Sequence, residues 1–130
     1  MCSSDLVVMC RTADPTAASP SCGGTTRTWG TGWLVFADLD GSATYSAGTD
    51  VLLRVKNDAS GQISIRTSAT CNRNLQYKAD GSTDENGNTC RMAICDERGA
   101  AFGYQVEVPP AGRPKLLDAG QRAINCDTPP

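Results

Sequence analysis

Seven cysteines and not one histidine stand in this chain of 130 residues. The cysteines are Cys2, Cys10, Cys22, Cys71, Cys90, Cys95 and Cys126. A zinc site draws on closely spaced Cys and His ligands, usually with one Cys two residues from the next, and no such knuckles occur here. The pattern therefore reads as a disulfide-stapled domain built for an oxidising compartment. Setting Cys2 aside leaves an even set, whose pairing sequence alone does not choose. Proximity favours Cys10 with Cys22 across a first loop and Cys71 with Cys90 across a polar loop, which leaves Cys95 with Cys126. A bridge closing a loop of this length stabilises by about 3 kcal/mol.

There is a reason to set Cys2 aside. Met1-Cys2-Ser3-Ser4-Asp5-Leu6 is the peptide that a common sequencing-adapter end encodes. We read residues 1–6 as adapter-derived and 7–130 as the domain, with the gene continuing upstream. Natural codons at this position in the source genome would overturn that reading.

The net charge of -2 argues against a protein that coats nucleic acid by bulk charge, while leaving room for a local basic patch. The longest strongly apolar stretch is Trp33 to Ala37, far short of the roughly 20 residues that span a bilayer. No signal-peptide pattern is present.

Short segments of alternating polarity fill the chain, broken by Gly, Pro, Asn and Asp. Val7 to Cys10 is a first strand, followed by a Pro/Ser/Thr/Gly loop from Arg11 to Arg27. Trp33 to Asp38 is apolar on both faces, which predicts a central strand, and Asp38-Leu39-Asp40-Gly41 supplies a turn. Val51 to Lys56 sets Val51, Leu53 and Val55 on one face. Ile63 and Ile65, then Leu75 and Tyr77, then Arg91 to Cys95 alternate in the same way. Phe102, Tyr104, Val106 and Val108 give the clearest period of two, ended by Pro109-Pro110. Lys115 to Leu117 is a last short strand. No helical stripe is present. The expected fold is mainly β: a small, antiparallel, two-sheet, sandwich-like domain.

One element is more specific than the rest: Trp29-Gly30-Thr31-Gly32-Trp33, followed by Leu34-Val35-Phe36-Ala37-Asp38. Together with Val7-Val8-Met9-Cys10-Arg11, Ile94-Cys95-Asp96-Glu97-Arg98-Gly99 and Gly112-Arg113-Pro114-Lys115, it resembles the globular domain of the FimT/FimU-type minor pilins, the GspH-like pseudopilin family. The resemblance rests on Trp29, Gly32, Trp33, Phe36, Asp38 and Gly112. It implies a subunit of a type IV pilus tip or initiation complex, with other minor pilins and the major pilin as partners. It further implies a single-pass helix in the bacterial inner membrane, with this domain in the periplasm or on the extracellular pilus. The family's prepilin cleavage site and helix are not in this sequence, so membrane contact would run only through a missing N-terminal helix.

Family members that bind DNA during natural transformation use a C-terminal Gly-Arg-x-Arg element. Here that element is Gly112-Arg113-Pro114-Lys115, and lysine keeps the charge while losing arginine's two-pronged donor geometry. Arg113, Lys115 and the following Arg122 form the candidate DNA site, for double-stranded DNA held through its phosphates. Asp118 and Asp127 dilute the patch. The other readings are a type II secretion pseudopilin and a secreted disulfide-rich binding module.

Trp29 and Trp33 are expected to pack rather than to bind. Asp38, Asp40 and Asp50 lack the later ligands and closing Glu of an EF-hand loop, and Asp80, Asp84, Asn86 and Asn88 suit a turn, so no metal and no cofactor is expected. Without histidine there is no Ser-His or Cys-His nucleophile pair. There is also no phosphate loop and no dinucleotide fingerprint, so no catalytic residue is assigned and no enzyme is expected.

Overall fold

The structure is a computed structural model that describes residues 6–24, 27–57, 63–117 and 126. The alternating segments become eight strands: β1 (Leu6–Arg11), β2 (Gly32–Asp38), β3 (Val51–Asn57), β4 (Ser64–Thr67), β5 (Asn74–Tyr77), β6 (Cys90–Cys95), β7 (Tyr104–Val108) and β8 (Lys115–Leu116). The helical content of the described residues is two single 3-10 turns, Ala69–Cys71 and Ala100–Phe102. β1 begins at Leu6, within the segment read from sequence as adapter-derived.

The strands form two four-stranded sheets, ordered β3-β2-β1-β5 and β4-β6-β7-β8. Every strand pair is antiparallel. The doubly apolar β2 lies inside the first sheet, between β1 and β3, where both of its faces meet side chains. Register places Val8 opposite Phe36 and Cys10 opposite Leu34, so these four share one face. They form a fully buried cluster, against which Leu6, Cys22, Tyr45 and Leu52 pack. Cys22 and Tyr45 come from the loops before β2 and after it, so loops cover this face. Burying a side chain such as Leu34 or Phe36 stabilises by about 1.5–3 kcal/mol.

A second cluster joins the two sheets. Cys71, Leu75, Cys90 and Val108 are buried, with Tyr77, Met92 and Val106 against them. Three disulfides fix these parts: Cys10–Cys22, Cys71–Cys90 and Cys95–Cys126, with sequence separations of 12, 19 and 31. Cys2 lies outside the described residues.

β3 departs from the alternation expected of it. The register slips between Val35 and Phe36, so that Arg54 faces Val35 while Leu52 faces Phe36, and Leu53 is the extra residue of a bulge. Val51 is 50% exposed and Leu53 55%. An edge strand has only one neighbour, and here neither of its faces is fully covered.

Candidate functional site

Trp29 of the tryptophan motif is buried in the fold. Trp29 is 1% exposed, and its backbone N–H donates to Ile65 O at 2.8 Å, tying the start of β2 to β4 of the other sheet. Trp33 is half-buried on the second face of β2, while Phe36 is fully buried and meets Tyr45 edge-on at 5.6 Å between ring centroids.

The basic element sits at the far end of the second sheet. Gly112 is buried with φ +86°, and any side chain there would run into the backbone of Gly81. Its N–H donates to Pro109 O at 2.8 Å, and Thr83 N–H donates to Pro110 O at 3.0 Å, which anchors the turn on the neighbouring loop. Arg113 and Lys115 then emerge exposed. Register sets Lys115 opposite Glu107 and Glu107 opposite Arg91, on the polar face of the sheet. Arg91 Nε lies 3.6 Å from a Glu107 carboxylate oxygen. Arg91 is thus a cation beside the element that its sequence position did not single out; only the pairing of β6 with β7 brings it there. Arg122 lies outside the described residues, as do Asp118 and Asp127.

The opposite side of both sheets is apolar and incompletely covered. In the first sheet Tyr77, Val7, Ala37 and Val51 form one row, with Leu75, Met9, Val35 and the exposed Arg54 in the next. In the second, Ile65, Ile94 and Tyr104 form one row, and Thr67, Met92, Val106 and Leu116 another. The sheet-joining cluster draws Leu75 and Tyr77 from the first face and Met92 and Val106 from the second, so the two faces meet there. At their outer ends Val51, Tyr104 and Leu116 are 50%, 51% and 61% exposed. Apolar side chains shared between two sheets and open to water mark a contact surface.

The acidic residues divide into two groups. Asp80 accepts from Ser82 N–H at 2.9 Å and from the Ser82 hydroxyl at 2.6 Å, an exposed turn; these bonds hold its carboxyl below the usual range. Asp38, Asp40 and Asp50, by contrast, converge at the end of β2. Burial, with the nearby Asp40 and Asp50 carboxylates, pushes the Asp38 carboxyl up, against the lowering effect of the Ala43 N–H that it accepts.

Among the described residues no helix is long and apolar enough to cross a membrane. No curated protein matches the chain. The fold is similar to the crystal structure of the type IV minor pilin FimU of Pseudomonas aeruginosa strain PAO1, with a TM-score of 0.64 and 16% identity over 95% of this chain and 82% of that one. A second crystal form of FimU gives a TM-score of 0.61 and 16% identity, over 95% and 78% of the two chains. The sequence model of the family described as "Type II transport protein GspH" matches residues 3–112. With the two sheets, the Trp29–Asp38 element and this match across most of its length, the chain belongs to the GspH family of minor pilins and pseudopilins.

Proposed function

We propose that the chain is the globular domain of a minor pilin that takes part in assembling a type IV pilus, in a tip or initiation complex with other minor pilins and the major pilin. The observation that carries this is the exposure of Val51, Tyr104 and Leu116 at the outer ends of the two apolar faces that meet at the sheet-joining cluster. A free-standing domain gains nothing by leaving such a surface in water, whereas a filament subunit covers it with an apolar helix and with its neighbours. On this reading the helix precedes residue 7, anchors the subunit in the bacterial inner membrane, and leaves the domain in the periplasm or on the pilus. A non-catalytic packing role follows, since contact surfaces do all the work.

The test is the natural coding sequence upstream of Val7. A short basic leader, a Gly-Phe-Thr-Leu-Ile-Glu-like cleavage site and roughly 20 apolar residues support the proposal. A cleavable signal peptide ending in small residues overturns it in favour of a secreted binding module. Gene neighbourhood then separates a pilus subunit from a pseudopilin of type II secretion.

A second reading is a DNA receptor on the pilus. It is favoured by the exposure of Arg113 and Lys115 and by the placing of Lys115 and Arg91 on the face of the second sheet opposite the apolar one. Packing through the apolar face would leave the exposed Arg91 and Lys115 side chains open to phosphates, although Ala93 and Gln105 beside them are buried.

A further inference from the structure

We propose that Asp38, Asp40 and Asp50 form a calcium site at the end of β2. One carboxylate oxygen from each lies within 4.8 Å of the corresponding oxygens of the other two. Oxygens that share one calcium ion at about 2.4 Å fall within that spread. The residues come from the last position of β2, from the turn after it and from the position just before β3, so the hairpin itself closes the cluster.

A second observation points to a ligand. Asp38 is 0% exposed, and its Oδ1 has no hydrogen-bond partner. Its Oδ2 accepts from Ala43 N–H at 2.8 Å. A buried carboxylate oxygen with no donor is costly, and it is stabilised by a cation or a proton. Among the described residues the salt bridges are Arg91–Glu107 and Arg98–Asp96, so no Lys or Arg side chain pairs with the three aspartates.

Backbone donors hold the other carboxylates in place without neutralising them. Leu39 N–H and Ser46 N–H donate to the two oxygens of Asp50 at 2.9 and 2.8 Å, and Ser42 N–H donates to Asp40 Oδ1 at 3.0 Å. Each oxygen retains a lone pair for a metal. Asp40 is exposed, which gives the ion a way in. A set of hard, all-oxygen ligands suits calcium better than a thiophilic metal, and water can complete its shell. The competing arrangement is one proton shared between Asp38 and Asp40.

Calorimetric titration of the full chain with calcium chloride at fixed ionic strength tests the site. We expect one ion per chain, with a Kd of about 0.1–1 mM, and a melting temperature raised by about 5 °C near saturation. Asp40→Asn keeps an acceptor for Ser42 and should weaken binding at least about tenfold by removing a charged ligand. Asp80→Asn, in the comparable exposed turn, should leave binding unchanged. Absence of heat and of a melting shift in wild-type protein at about 10 mM calcium overturns the proposal, since affinity would lie outside the range of even the weaker sites. Equal effects of magnesium, or unchanged binding by Asp40→Asn, also overturn it.

Discussion

A Cβ added to Gly32 would stand 2.6 Å from the carbonyl oxygen of Lys56, so the start of β2 can approach β3 this closely only as glycine. The same atom would lie 2.8 Å from Pro15 Cγ, and φ at Gly32 is +148°, a conformation that L side chains rarely adopt. Gly32→Ala is therefore expected to destabilise the domain by about 2–4 kcal/mol, from backbone strain plus overpacking. The check is the urea midpoint of purified variant and wild type: it should fall while the slope stays unchanged, meaning that a folded domain has lost stability rather than changed its denatured state.

The disulfides should differ in their resistance to reduction. Cys71 and Cys90 are both 0% exposed inside the cluster that joins the sheets, whereas Cys22 is half-buried in a loop. Thiol exchange needs access to sulfur. Mild reductant under native conditions, followed by alkylation and mass spectrometry, should label Cys10 and Cys22 well before Cys71 and Cys90. Replacing Cys71 and Cys90 together by Ala should cost about 2–5 kcal/mol, the range for a native bridge in a small domain, measured by chemical denaturation.

Strand positions were legible because a period of two leaves little else for short apolar segments to form. Central placement of β2 followed from Trp33 to Asp38 having no polar face. Trp29 and Trp33 were expected to pack, and the buried Trp29 does so. Three features were not legible. Alternation in Val51, Leu53 and Val55 predicts one covered face, but the bulge at Leu53 and the edge position of β3 depend on pairing with β2, which a local pattern does not encode. The convergence of Asp50 on Asp38 and Asp40 depends on how the 39–49 connection closes, and motif spacing judged against an EF-hand loop carries no signal for it. The placing of Arg91 and Lys115 on either side of Glu107 was missed for the same reason: cross-strand register, not sequence distance, sets it.

Glu85 gives the fold a predictable pH response. Its carboxyl is pushed up from the ordinary range, first by burial and further by the nearby Asp84, against the lowering effect of the Gln76 N–H that donates to its Oε1 at 2.9 Å. A carboxyl that holds its proton more tightly folded than unfolded opposes folding once ionised. That penalty is present at neutral pH and fades as pH falls through the folded-state value toward the unfolded one, about 4.3. Glu85→Gln keeps a carbonyl acceptor for Gln76 and removes the charge. Its melting temperature should exceed that of wild type at pH 7, and the difference should shrink steadily on acidification to about pH 4. A constant difference across that range would mean that the substitution acts through packing instead.

The basic element makes the sharpest functional prediction. If Arg113 and Lys115 each meet a phosphate, the full chain should bind duplex DNA with roughly micromolar affinity at low salt, and log K should fall with log salt at a slope of about -1.8 for two contacts. Arg113→Ala should weaken binding several-fold and reduce that slope by about 0.9, with no preference among sequences. Arg113→Lys should retain most of the salt dependence but lose some affinity, because a lysine cannot hold phosphate with two parallel donors. Lys56→Ala, an exposed lysine on the edge strand β3, serves as the control and should change little. Fluorescence anisotropy with a labelled duplex at several salt concentrations measures all four proteins. An equal loss in Lys56→Ala and Arg113→Ala would reveal diffuse attraction without a site, and no binding at low salt would overturn the DNA-receptor reading.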